Sequence, residues 1–100
     1  MMTIPLRATP SQVVNVQLAD QAARIAVYQK RTGLYVDLSV GGVSIVSGVI
    51  AQNANRLVRD AYLGFLGDLA FYDTQGDEDP VYTGLTDRWF LAYLEVADLA

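Results

Sequence analysis

The chain reads as mainly β: a small antiparallel barrel or sandwich of about five to seven short strands. Three observations predict this. Apolar and polar residues alternate over several short stretches, the period of a half-buried strand. Glycine-containing turn signals separate those stretches at close intervals, as in small all-β domains. One hairpin also has a strand pattern and a turn that specify the same register.

Val14, Val16 and Leu18 alternate with Asn15 and Gln17, predicting a first strand. Residues 20–30 admit two readings. Asp20 can cap a helix running through Lys30 and ended by Gly33, since Ala22, Ala23, Ile25 and Ala26 suit one. Ile25 and Val27 also alternate with Arg24, Ala26 and Tyr28. Flanking strands and the turn-like Ala19-Asp20-Gln21 and Thr32-Gly33 favour strand. Next, Leu34, Val36, Leu38 and Val40 alternate with Tyr35, Asp37 and Ser39, and Gly41-Gly42 supplies the two positive-φ residues of a tight hairpin turn. A two-residue loop pairs Leu34–Val40 with Val43–Val49, setting Val40 against Val43, Leu38 against Ile45 and Val36 against Ser47.

Between Gln52 and Asp60, Asn53 and Asn55 favour a loop, with a short helix from Ala54 to Leu63 as the alternative. Phe65, Leu69 and Phe71 then share one strand face, and Leu66, Asp68, Ala70 and Tyr72 the other. Gly64 and Gly67 mark bends inside that run. Asp73 to Pro80 is an acidic loop. Arg88 to Val96 forms a last strand, apolar on both faces and therefore central or at an interface. No repeat or linker divides residues 1–100, which are expected to make a single domain.

Hydrophobic residues make up 52% of the chain and charged ones 18%, against about 25% charged in an average soluble domain. A chain this short buries only about two-thirds of its extended surface, so the surplus apolar surface points to burial in an assembly. The net charge of −4 opposes nucleic-acid binding, which requires Lys and Arg to neutralise phosphates. The longest uncharged stretch, Leu38 to Asn55, is broken by Gly, Ser, Gln and Asn, so no membrane span is expected. The amino end has no apolar segment of signal-peptide length, and the lack of cysteine suits a reducing compartment.

With neither histidine nor cysteine, the commonest general base, the nucleophilic triads and the commonest metal ligands are all missing. No catalytic residue, cofactor or metal site is predicted. Asp73, Gln75, Asp77, Glu78 and Asp79 lack the glycine and glutamate placement of a calcium loop and read as a solvated hairpin loop. Asp68, between Leu66 and Ala70, is expected to be partly buried and ion-paired to Arg56 or Arg59. The candidate contact surface is the segment from Arg56 to Asp68. It combines Arg56, Arg59 and Asp60 with Tyr62, Leu63 and Phe65 around two glycines. Arg and Tyr dominate interface energetics, and glycine admits close backbone approach. A different class of function, a small ligand-binding β-barrel, would line its cavity with Tyr62, Trp89 and Tyr93.

Three stretches carry a family resemblance: TIPLRATPSQ near the start, NRLVRDAYLGFLGDLAFYDTQG in the middle, and DPVYTGL followed by RWFLAYL. They resemble the baseplate plug proteins of contractile-tailed bacteriophages over nearly the whole chain. Asp73-Thr74-Gln75-Gly76, Asp79-Pro80, Tyr82-Thr83-Gly84-Leu85 and the aromatic-rich end are the most specific parts. The departure is Ala19-Asp20-Gln21, where the resemblance leads one to expect a glycine-containing turn. The resemblance implies a structural virion component at the tail axis, made and assembled in the host cytoplasm. It would contact baseplate hub, spike or tail-tube proteins and close or organise the channel, without catalysis or cofactor. A threefold or sixfold homo-oligomer follows from the symmetry of such an axis.

Overall fold

The computed structural model describes residues 2–59 and 65–99. They contain seven strands: β1 (Met2–Ile4), β2 (Ser11–Leu18), β3 (Gln21–Lys30), β4 (Gly33–Val40), β5 (Val43–Ile50), β6 (Asp68–Asp73) and β7 (Trp89–Leu94). Two antiparallel sheets result, ordered β2-β3-β4-β5 and β1-β7-β6. Both sheets are open, so the architecture is the sandwich and not the barrel. Among the described residues, helix is confined to two short 3-10 turns, Tyr82–Gly84 and Val96–Leu99.

One core is shared by both sheets. Ile25, Val27, Leu34, Val36 and Leu38 of the larger sheet cluster with Ile4, Leu69, Phe71, Leu91 and Tyr93 of the smaller one. The period of 2 holds through β2, β3 and β4, so half of each strand points into this core and half outward. Residues 20–30 are strand because β3 lies between β2 and β4 along its length and buries Ala23, Ile25 and Val27. A helix there would leave β2 without a partner and β4 with β5 alone. The turn before β3 achieves with Ala19 (φ 50°) and Asp20 (φ 63°) the paired positive φ that glycine normally provides. Asp tolerates that conformation better than most residues, which accounts for the missing glycine.

The β4–β5 hairpin forms around Gly41-Gly42 and pairs Val40 with Val43, as expected, but its register then slips. Leu38 faces Val46 and not Ile45, and Val36 faces Val49 and not Ser47. Asp37 holds the second of these slips. Its carboxylate accepts the Gly48 N–H at 2.6 Å and the Tyr28 hydroxyl at 2.9 Å, with the Ser47 hydroxyl at 3.5 Å. Gly48 sits at φ 66°. The extra residues are thus stored in bulges, the second pinned by a side chain, which alternation of apolar residues cannot reveal.

After β5 the chain crosses to the other sheet. Residues 51–59 form an irregular ribbon along the outer edge of β6, with Ala54 N–H donating to the Phe71 carbonyl (2.8 Å) and Leu57 N–H to that of Leu69 (2.9 Å). Isolated bridges join Asn53 to Phe71 and Arg56 to Ala70. The alternative helix over 54–63 does not form at 54–59, and the remainder of that span lies outside the described residues. β6 starts at Asp68, later than the alternation from Phe65 suggests, because Gly67 turns the chain at φ 93°. Within β6 the predicted faces hold: Leu69 and Phe71 point into the core, with Asp68 and Ala70 on the opposite face. β7 lies between β1 and β6 and is buried on both faces except at the half-buried Phe90.

Gly67 has no space for a side chain: an added Cβ would stand 2.3 Å from the Leu94 carbonyl oxygen. Gly41, at φ 58°, has nothing within 4 Å of that position. Gly41→Ala should therefore cost only the left-handed backbone penalty, about 1 kcal/mol. Gly67→Ala should add an overpacking term of roughly 1–3 kcal/mol. Urea unfolding of both variants checks the difference; equal losses would contradict the close approach at Gly67.

Candidate functional site

The segment Arg56 to Asp68 divides by burial. Arg56 and Arg59 are exposed, whereas Leu57, Val58, Phe65 and Asp68 are buried. Asp60, Tyr62 and Leu63 lie outside the described residues. Asp68 is only 3% exposed, and its partners are main-chain groups, not the guanidinium expected from the sequence. It accepts the N–H groups of Val58 (2.8 Å), Arg59 (2.8 Å) and Leu69 (2.7 Å). The Arg59 side chain turns instead to the Arg56 carbonyl, donating from Nε at 2.5 Å. Arg59 itself has φ 65°, a left-handed conformation that the bond to Asp68 helps to hold.

A second group braces the same region from the far side of the chain. Phe65 packs edge-on against Tyr93, with ring centroids 5.8 Å apart. The Tyr93 hydroxyl donates to the Leu66 carbonyl at 2.6 Å. Burial, aided by the nearby Glu95 charge, raises the Tyr93 pKa above its ordinary value, which keeps the hydroxyl a donor. The Gln21 side chain closes the arrangement, donating to the Leu66 carbonyl (3.2 Å) and accepting the Leu66 N–H (2.9 Å). The Leu66 side chain, held from three directions through its main chain, is nonetheless 54% exposed. Nothing local in the sequence singles out Gln21, which is 45 residues from Leu66. Only the tertiary contact brings them together.

The acidic loop after β6 is committed to protein donors. Asp73 receives Arg88 through Nε (2.8 Å) and Nη2 (2.7 Å), and also the N–H groups of Gln75 (2.8 Å) and Glu78 (2.9 Å). The Arg88 hydrogen bonds, then those main-chain donors, hold the Asp73 carboxyl far below the usual carboxylate range. Arg88 also lies 3.2 Å from Glu78 and stacks 4.5 Å from the Trp89 ring. The Trp89 indole donates to the Glu78 carbonyl at 3.0 Å, and the Asn53 N–H donates to Asp79 at 3.0 Å. The loop is a folded cap over one end of the sandwich. Among the described residues, no three acidic side chains converge as a metal site would require.

Trp89 and Tyr93, the candidate cavity residues of a ligand-binding barrel, are core residues of an open sandwich. The surface instead presents dispersed apolar side chains: Met2, Val13, Val43, Leu66, Val81 and Val96 are each at least 40% exposed. No helix among the described residues is long and apolar enough to cross a membrane.

Removing the Asp68 carboxylate would leave three main-chain donors without their acceptor, at about 1–3 kcal/mol for each buried group. Asp68→Ala should therefore destabilise the chain by about 3 kcal/mol or more. Asp68→Asn, which keeps one acceptor oxygen, should cost less. Thermal unfolding compares the two. Asp73 makes the stability depend on pH: its folded pKa is depressed, so its contribution is complete above the unfolded value of about 4. That contribution is lost as pH falls below this value. Unfolding curves between pH 6 and pH 2 should show the loss, and Asp73→Asn should flatten it.

A family model described as Cyanophage baseplate Pam3 plug gp18 matches residues 1–96. No curated protein matches the chain. The matched span takes in both sheets, the crossover ribbon and the acidic cap. The chain belongs to this family of phage baseplate plugs.

Proposed function

We propose that the chain plugs or organises the central channel of a contractile phage tail by packing against hub, spike or tail-tube proteins, and that it performs no catalysis. The match to a baseplate plug family over residues 1–96 carries this reading. The baseplate role of that family supports a location in the tail baseplate, with assembly in the host cytoplasm before the virion is complete. The chemistry of the chain suits packing. Its exposed side chains include six large apolar groups, and it has neither histidine nor cysteine to support the commonest catalytic arrangements. Asp73, the most perturbed carboxylate, is consumed by Arg88 and two main-chain donors.

The contact segment is residues 56–68. Arg56, Arg59 and Leu66 offer their side chains to a partner, while Phe65 and Asp68 fix the backbone that carries them. Asp60, Tyr62 and Leu63 belong to the same proposal by sequence position. A homo-oligomer of threefold or sixfold symmetry, matching a tail axis, is the natural assembly. The ligand-binding barrel loses its support, because the sheets do not close and two of its three lining residues fill the core.

Sedimentation at micromolar concentration, alone and with purified hub and tail-tube proteins, tests the packing role. A species larger than 10.9 kDa is expected in at least one mixture, and a monomer in all of them would refute it. Arg59→Ala should weaken that assembly while changing stability by no more than about 0.5 kcal/mol, as for an exposed site. Lost stability with a proportional loss of assembly would place Arg59 in the fold and the contact surface elsewhere.

A further inference from the structure

An open sandwich leaves strand edges, and the four here are not equivalent. β6 is covered on its outer side by the ribbon that bridges through Asn53 and Arg56. β1 has three residues. β5 is interrupted by two register shifts, and Gly48 N–H is already taken by Asp37. Bulges and short strands are the usual protection of an edge. β2 has none of these devices. It runs for eight residues, Ser11–Leu18, pairs with β3 without a register shift, and carries neither charge nor proline.

Its free hydrogen-bonding groups can be named. Leu18 and Gln21 close a two-residue loop and form a bonded pair, and bonded pairs alternate from there along the ladder. The bond from Gln29 N–H to the Pro10 carbonyl, 2.7 Å, fits the same parity. Ser11, Val13, Asn15 and Gln17 therefore direct their N–H and C=O groups away from β3, although the Ser11 carbonyl already accepts the Thr9 hydroxyl at 3.3 Å. Two clefts lie along this edge. One, of about 510 Å³, runs beside Gln12–Asn15 and has Pro5–Arg7 as its other wall. The second, of about 240 Å³, continues beside Asn15–Gln17. The first is lined by consecutive residues of β2, hence by both faces of the strand, which places it at the edge, whereas the second also takes in Ala22 and Ala23 of β3.

Charge selects the occupant. The charged residue in the wall of the first cleft is Arg7, and Arg24 on β3 lies directly across from Asn15. In a chain of net charge −4, this edge has Arg7 in its wall and Arg24 one strand in, where Arg24 also lines a cleft over β4 beside Asp37 and Ser39. Neither arginine has a carboxylate within ion-pair distance among the described residues. Pairing β2 with its own copy about a twofold axis near Val14 would bring the two Arg7 side chains, and the two Arg24 side chains, toward each other. An added strand sits about 4.8 Å from β2 and so about 10 Å from β3, a span that an arginine and a glutamate side chain cover together.

We propose that the free edge of β2 docks an extended segment of a partner protein, with acidic side chains on its outward face and apolar ones on its inward face. Main-chain bonds to Ser11, Val13, Asn15 and Gln17 supply affinity, as in other strand additions. Arg7 and Arg24 select the acidic residues, and the half-buried Val14 and Val16 receive the apolar ones. This adds a surface to the packing role above but rests on the geometry of the edge, and its test needs no baseplate protein.

The probe is the blocked peptide Thr-Val-Glu-Val-Glu-Val-Thr-Val, with a second peptide bearing Lys in place of both Glu. Amide hydrogen exchange on the full chain should slow about tenfold at Val13, Asn15 and Gln17 when the acidic peptide is near ten times its Kd. The lysine peptide should bind about tenfold more weakly, the effect of reversing two partly exposed ion pairs. Val13→Pro removes an outward N–H without breaking a bond to β3 and should abolish binding. Arg24→Glu, which leaves the backbone and Arg7 alone, should remove most of the preference for the acidic peptide and so decides the matter even if the proline variant fails to fold. Equal binding of both peptides, or no binding, would overturn the proposal. So would protection appearing on β5 in place of β2, or protection that grows with protein concentration without peptide and so reports pairing with a second copy.

Discussion

A sandwich whose chain leaves one sheet after β5 and enters the other at β6 needs a crossover that satisfies its own backbone while lying against a buried strand. Here that crossover is residues 51–59, and a single carboxylate holds its last turn. Asp68 stands at the start of β6 and takes the N–H groups of Val58, Arg59 and Leu69. A buried carboxylate is costly unless compensated, and three main-chain donors are strong compensation because hydrogen bonds to a charged acceptor are the stronger kind. With the ribbon fixed, Leu57 and Val58 enter the core and the outer edge of β6 is covered. Without it, the longest connection between sheets would expose both an apolar strand and an unpaired edge.

The two ends of the sandwich are fastened by unlike chemistry. At one end, Gln21 and the Tyr93 hydroxyl converge on the main chain of Leu66, linking the turn before β3 to the segment that enters β6. At the other, Gln29 accepts the Tyr82 N–H at 3.1 Å, and the Asp73–Arg88 pair folds the acidic loop over Trp89. None of the buried side-chain polar atoms described lacks a partner. Most of the chain's polar side chains that are not solvated are thus spent on fixing loops, leaving the strands to apolar packing.

That division bears on function. A plug must present apolar surface to its neighbours yet remain folded before they arrive, and polar groups that lock loops leave surface valines and leucines available. Three of the four sheet edges are also shortened, bulged or covered, the devices by which β proteins avoid unwanted pairing. The exception, β2, is the edge with Arg7 in its wall and no carboxylate in ion-pair contact with it among the described residues. Selective exposure of one edge is a form of specificity, since it permits one mode of strand addition while excluding others.

Local pattern in the sequence determined much of the fold. The alternation in β2 and β4, the Gly41-Gly42 turn and the two-faced apolar run of β7 all depend on neighbours in the chain, so all were legible. Membership of the plug family was legible too, through Asp73-Thr74-Gln75-Gly76 and Tyr82-Thr83-Gly84-Leu85, although why the cap needs those residues appears only in contacts with Arg88 and Trp89. Tertiary structure decided what alternation cannot encode. For residues 20–30 the sequence left a helix open while favouring strand, and the pairing of β3 with both β2 and β4 decided it. The second slip in the β4–β5 register is held where Asp37 captures Gly48, a side-chain bond to a residue eleven positions away. Within the candidate segment, the sequence expected Asp68 to be partly buried against an arginine, and only the folded chain showed its partners to be main-chain N–H groups, with Arg56 and Arg59 exposed. Burial is set by what packs against a residue, and for Asp68 those partners are N–H groups, which every residue except proline possesses and no sequence pattern can distinguish.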